Sequence, residues 1–202
     1  AWTRKGMDAE LLARVADRRV PDGSWDLDGA RAALEQVRDL SFVKVRPADQ
    51  RVFLHDEMYD LMERHVLQPT EWPAGAERAY QSILNYYLKI IQKCRHEMLE
   101  AHQALRHIAE EDISKRATVL QQINQIGDRL QAAMVEDLHY QLRADARRGF
   151  GVYYRYAEGA ILGEDASLDA ELRVELLGYL EERDPSGEQL EIEGLSRTDV
   201  LS

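Results

Sequence analysis

The chain has 202 residues, 45% of them hydrophobic, enough to bury one core or two smaller ones. Its 37 acidic and 26 basic side chains leave a net charge of −11, which argues against a general nucleic-acid binder. The most apolar stretches are far too short to span a bilayer and no signal peptide is visible, so the composition fits a soluble cytoplasmic protein, and a single cysteine agrees with a reducing compartment.

In chain order, the segment from Met7 to Asp17 places apolar residues at 7, 11, 12 and 15, the spacing of a helix. Val20-Pro-Asp-Gly-Ser24 breaks it with turn residues. Asp26 is placed to cap a second helix running to about Asp39, with Leu27, Ala30, Leu34 and Val37 on one face. Phe42-Val-Lys-Val-Arg46 alternates apolar and charged residues as a half-buried strand does. Pro47-Ala-Asp-Gln50 is a hairpin turn, and Val52-Phe-Leu54 returns as the partner strand. Met58, Leu61, Met62 and Val66 give a closing helix its stripe. Helix, helix, two-stranded wing and helix predict a winged-helix arrangement.

Pro73 suits a helix start, and a heptad run follows at Tyr80, Leu84, Tyr87, Ile91, Cys94, Met98, Ala101, Leu105 and Ile108. Glu110-Glu-Asp112 interrupts it, with Asp112 or Ser114 able to cap a new helix. Val119, Leu120, Ile123, Ile126, Leu130, Met134, Leu138 and Leu142 then supply a matching stripe. The spacing predicts an antiparallel helical hairpin with arms of roughly 45 to 50 Å at 1.5 Å per residue; a dimeric coiled coil is the competing construction. Cys94 falls in the seam, where a thiol behaves as a small hydrophobe. Beyond it, Phe150, Tyr153, Tyr154 and Ala157 are expected beside a helix from Leu168 to Glu182 that buries Leu172, Leu176, Leu177 and Leu180. Asp184-Pro-Ser-Gly187 and the acidic tail after it read as a linker toward a following domain.

Known catalytic signatures are missing. No Gly-x-x-x-x-Gly-Lys-Ser/Thr loop cradles phosphates, no Gly-x-Ser-x-Gly elbow or His-Glu-x-x-His pair occurs, and Cys94 has no companion for a metal site or disulfide. The six histidines are scattered. The expectation is a chain that is not an enzyme, with no metal and no cofactor of its own.

The one chemically suggestive element is Arg51-Val-Phe-Leu-His-Asp56, a strand delivering an imidazole and a carboxylate to a helix start, where unsatisfied N–H groups favour anions. An ordinary strand-end histidine and a helix-capping aspartate are the plain alternatives. With the wing around it, the segment resembles the winged-helix domain of bacterial STAND-type signalling NTPases, the NB-ARC and NACHT relatives. His55 and Asp56 match the last two positions of that family's Met-His-Asp sensor motif, with Leu54 in place of the methionine. The resemblance implies that His55 reaches the β-phosphate of ADP in an intact parent protein, that Asp56 orients the imidazole or caps the helix, and that ADP or ATP is bound by a nucleotide domain outside this chain. Phe150, Tyr153, Tyr154 and Ala157 resemble the packing of a tetratricopeptide unit, although no strict repeat is legible, and the stretch from Glu136 to Phe150 resembles the connector that such proteins place between winged helix and sensor repeats.

The resulting division is a winged-helix domain over 1–68 with its first helix truncated, a long hairpin over 69–147, a helical-repeat-like connector over 148–183 and a linker over 184–202. A start at Ala1 without a methionine, the missing part of a first helix and an end at Ser202 without a helix stop suggest a piece of a longer polypeptide. The function expected is a non-catalytic signal-transduction module coupling nucleotide state to partner binding, its partners being its own nucleotide-binding and sensor domains, with no membrane and nucleic acid unfavoured. Two alternatives stand: a winged-helix DNA-binding regulator with a helical dimerisation region, for which Lys44, Arg46 and Arg51 on the wing speak, and a structural helical scaffold.

Overall fold

The computed structural model describes residues 3, 5–47, 49–62, 76–110 and 112–183. Seven helices and one two-stranded antiparallel sheet lie among them. The expectations for Pro73, Val66 and the 184–202 linker lie outside the described residues, as does the 68/69 boundary. Two compact units emerge, Ala1–Tyr86 and Tyr87–Ser202, the division falling within one helix.

In the first unit, α1 (Ala9–Val15) starts because Asp8 is extended and its Oδ1 accepts from the Leu11 N–H at 2.8 Å. The expected helix is therefore shorter at its front. Met7 is not in it but exchanges two backbone hydrogen bonds with Val52, at 2.8 and 3.0 Å. Asp26 caps α2 (Leu27–Val37) by accepting from Gly29 N–H at 2.8 Å, and Arg18 pairs with the same carboxylate at 3.2 Å. Between the two helices a turn closes Val20 N–H onto the Ser24 carbonyl, with Gly23 at φ +86°, a region only glycine enters freely. Leu11, Ala13 and Ala30 are fully buried between them.

Strands β1 (Val43–Val45) and β2 (Val52–Leu54) pair with Val43 opposite Leu54 and Val45 opposite Val52. Gln50 N–H closes the turn on the Arg46 carbonyl at 2.8 Å. Helix α3 (Asp56–Met62) follows directly. Its inner side is formed by Met58 and Tyr59, whose hydroxyl donates to the Thr3 carbonyl at 3.0 Å; this phase turns Leu61 outward, contrary to the expected stripe.

In the second unit the hairpin arms are α4 (Ala76–His107), which enters from the first unit, and α5 (Ile113–Ala144). They are packed antiparallel, the hairpin rather than the dimeric coiled coil. Tyr87 stacks on Tyr140 with ring centroids 5.7 Å apart, Glu97 pairs with Arg129 at 2.7 Å, and Arg116 donates to the Ile108 carbonyl beside the turn. Cys94, Ala101 and Ile126 form the buried seam, flanked by Ile90, Met98, Ile123 and Leu130. Burial pushes the Cys94 thiol up, in keeping with its service as a small hydrophobe. Asp112, rather than Ser114, caps α5 by accepting from Lys115 N–H. Leu120 is exposed because neighbouring residues point about 100° apart on a helix and Val119 takes the inner position.

Helices α6 (Ala146–Leu162) and α7 (Ala166–Arg183) pack on α5 and on each other. The expected start of this region at 148 falls inside α6, whose cap is Asp145. A Cβ on Gly149 would come within 2.5 Å of Leu142 Cα, so glycine sets how closely α6 lies against α5. Tyr154 and Leu177 are exposed, against expectation; Tyr156, Glu175 and Tyr179 are buried instead. The reason is that each of these helices is covered on two sides, by α5 and by its sibling, which shifts the buried arc away from the simple leucine stripe.

A single carboxylate ties the first unit together. While Asp8 Oδ1 caps α1, its Oδ2 accepts from Arg51 at 3.1 Å, just ahead of β2, and from the Tyr86 hydroxyl; Arg51 also donates to Tyr86 at 2.8 Å. Tyr86 is buried and the other two side chains are half-buried, so removing the carboxylate takes a charged acceptor from two donors as well as the cap from a helix start. Asp8→Ala is expected to cost about 2 to 3 kcal/mol in chemical denaturation, against about 1 kcal/mol for an ordinary cap.

Candidate functional site

His55 stands between β2 and α3. Its N–H donates to the Phe42 carbonyl at 2.9 Å, so the residue extends the two-stranded sheet by one bond, and its own carbonyl accepts from Met58 N–H at 2.8 Å and Tyr59 N–H at 3.3 Å. The backbone is thereby fixed on both sides, and the half-buried imidazole is held at the point where strand becomes helix. Asp56 is the first residue of α3; its side chain lies outside the described part. β2 is paired on one edge by β1 and on the other by Met7, which gives the platform carrying His55 three strands' width at Val52.

The second unit holds a polar assembly that sequence reading did not single out. His139 Nδ1 lies 2.7 Å from Glu175 Oε1, and Arg143 reaches Glu175 at 3.4 Å and both oxygens of Glu182 at 2.5 and 2.6 Å. Arg143 also lies 2.9 Å from His139 Nδ1. A proton on Nδ1 satisfies the buried carboxylate, and the guanidinium then relies on Glu182, Glu175 and the His139 carbonyl at 3.3 Å. The group clasps α5 to α7. A turn earlier, Tyr156 donates to Asp137 Oδ2 at 2.7 Å and Gln141 to Oδ1 at 3.4 Å, joining α5 to α6. Burial raises the Asp137 carboxyl above the usual carboxylate range despite these two hydrogen bonds, and burial together with the Asp137 charge pushes the Tyr156 hydroxyl up.

The available signal was the placement of acids. Asp137 follows Ile126, Leu130 and Ala133 at seam spacing, and Glu175 lies between Leu172 and Leu176. A charge on a buried stripe needs a partner from another helix, and spacing along one helix cannot name it. Among the described residues no group of three or more His, Cys, Asp or Glu side chains is placed to hold a metal ion, and no helix is long and apolar enough to cross a membrane. No family model matches the chain, and neither a curated protein nor a solved structure matches it.

The raised Asp137 carboxyl has a defined sign. The folded chain holds this proton more tightly than the unfolded chain, so the group's contribution favours folding at low pH and is lost as pH rises through the raised value. Relative to Asp137→Asn, the wild type should lose stability with rising pH above the ordinary value of 3.8. Denaturation curves at a series of pH values check this: two pH–stability profiles that run parallel would exclude it.

Proposed function

We propose that this chain is the winged-helix head and helical connector of a STAND-type signalling NTPase, with His55 as its nucleotide-state sensor. The observation that carries the reading is the position of His55: the last residue before α3, at the end of a wing strand paired on both edges, with its N–H and carbonyl both engaged. A sensor for a phosphate needs a donor on a backbone that does not drift, beside a helix start whose field favours anions. The element order α1, α2, β1, β2, α3 supports the winged-helix reading, as does the extra pairing of Met7. In this reading the chain is itself non-catalytic and cytoplasmic, ADP or ATP sits in a neighbouring nucleotide domain of the parent protein, and the tetratricopeptide-like pair α6–α7 leads toward its sensor region.

The shared carboxylate gives the reading a mechanical route within the first unit. Arg51, three residues before Leu54, and Tyr86 on α4 grip the same Asp8 oxygen. A displacement of the wing when nucleotide leaves is thereby felt at the foot of the long helix. The DNA-binding alternative is weakened by the pairing of its cations. On α2, Arg31 and Arg38 are bound to Asp28 and Glu35, and at the wing Arg46 and Arg51 are bound to Asp49 and Asp8. Guanidinium groups already neutralised release few counterions from a duplex.

In the parent polypeptide, His55→Ala should release ADP at least about tenfold faster, a loss of about 1.4 kcal/mol of retention. Unchanged retention removes the sensor role, and a reading frame with no phosphate-binding loop upstream refutes the assignment as a whole. A gel-shift titration of this chain with duplex DNA should show no tight, salt-sensitive complex; finding one would favour the regulator.

A further inference from the structure

One flank of the hairpin is covered by α6, along α5, for only part of its length. Gly149 of α6 lies on Leu142, Tyr156 on Asp137, and Ser167 accepts from Gln131 at 3.2 Å, so α6 runs down the hairpin toward its tip and stops at Leu162, level with about residue 131 of α5. The Arg95 guanidinium of α4 acts on the Tyr156 hydroxyl, so α6 lies on the flank of the hairpin that Arg95 faces. Beyond α6 the same flank continues without cover.

Helical phase identifies what that flank carries. Glu97 and Arg129 bridge one edge of the seam. Residues two positions away on each helix point about 200° round and belong to the other edge. On α4 this edge reads Arg95, Leu99, His102, Arg106; on α5 it reads Ile113, Arg116, Leu120, Gly127. Leu99 is 57% and Ile113 76% exposed, and Leu120 is exposed as well. No acid occurs on either stripe, in a chain whose net charge is −11. Arg95 and Arg106 carry no ion pair among the described residues. An apolar strip with a basic rim, continuous with the flank of α5 that carries α6, suits an acidic amphipathic helix.

The chain itself exposes one. On the outer face of α7, Val174 is 70% exposed and Leu177 is exposed, and they lie between Glu171 and Glu181, which carry no ion pair among the described residues. At 1.5 Å per residue, Glu171 and Glu181 are about 15 Å apart and Arg95 and Arg106 about 16 Å apart, each pair bracketing its leucine. We infer that the open distal strip of one copy receives the outer face of α7 from a second copy. The contact is heterologous, since the strip and the α7 face are different patches, so each copy keeps a free strip or a free α7 face and association can propagate. Two apolar residues on a short strip make it weak, and its charged rim makes it sensitive to salt.

Sedimentation velocity on the 202-residue chain over a wide concentration range tests this. The expected result is reversible association that weakens on adding salt. Leu120→Asp and, separately, Val174→Asp should each weaken it at least about tenfold. Arg106→Glu and Glu181→Arg should each weaken it, and the double exchange should restore much of the loss, a recovery that general surface damage cannot give. All of these side chains are exposed, so circular dichroism melts should match the wild type. A chain that stays monomeric at every concentration overturns the inference. So does association that Leu120→Asp and Val174→Asp both leave unchanged.

Discussion

The second unit depends on α5, the helix on which α4, α6 and α7 all pack. Its seam with α4 is closed by Cys94, Ala101 and Ile126, with Ile90, Met98, Ile123 and Leu130 beside them. Everything after residue 144 is built on α5. Gly149 brings α6 against Leu142, and the wide apolar and polar arc of α5 from Ala133 to Leu142 is buried because α4, α6 and α7 together surround it.

That enclosure explains the polar chemistry. A helix surrounded on three sides has no outward face on which to keep charges, so Glu136, Asp137 and Gln141 are buried along with their apolar neighbours. Tyr156 answers Asp137, and His139 with Arg143 answers Glu175. Such clasps fix which residues of α6 and α7 meet α5, since a one-turn slip would leave a carboxylate buried without a donor. Hydrophobic contacts alone tolerate that kind of slip far better.

The first unit uses the same economy on a smaller scale. Asp8 starts one helix, holds the base of the two-stranded sheet through Arg51 and binds Tyr86, and the sheet in turn fixes the backbone of His55. A two-stranded ribbon is marginal by itself; pairing Val52 with Met7 and anchoring the adjacent Arg51 on Asp8 support it at the start of β2. Gly6, at φ +82° and directly under the Phe53 ring, lets the chain pass close enough for that third pairing.

Much of this was legible in the residues alone. Capping aspartates at 26 and 112, the turn at Pro47–Gln50, the two strands, and the two heptad stripes all report through local sterics and periodicity, and these act over a few residues. The position of His55 at a strand-to-helix junction was legible for the same reason. Met7 read as helical because its apolar side chain fits the helix spacing, whereas the Asp8 carboxylate and the open edge of Val52 draw it into the sheet. Leu61, Leu120, Tyr154 and Leu177 read as buried because a stripe says which residues share a face, not how much of that face a neighbour covers. The sequence by itself determined the elements, the capping residues at 26 and 112 and the apolar stripes of the long arms. Only the tertiary structure decided which acids are buried, which groups answer them and where the apolar surface is left open, because each of those depends on residues nineteen to thirty-nine positions apart arriving at one place.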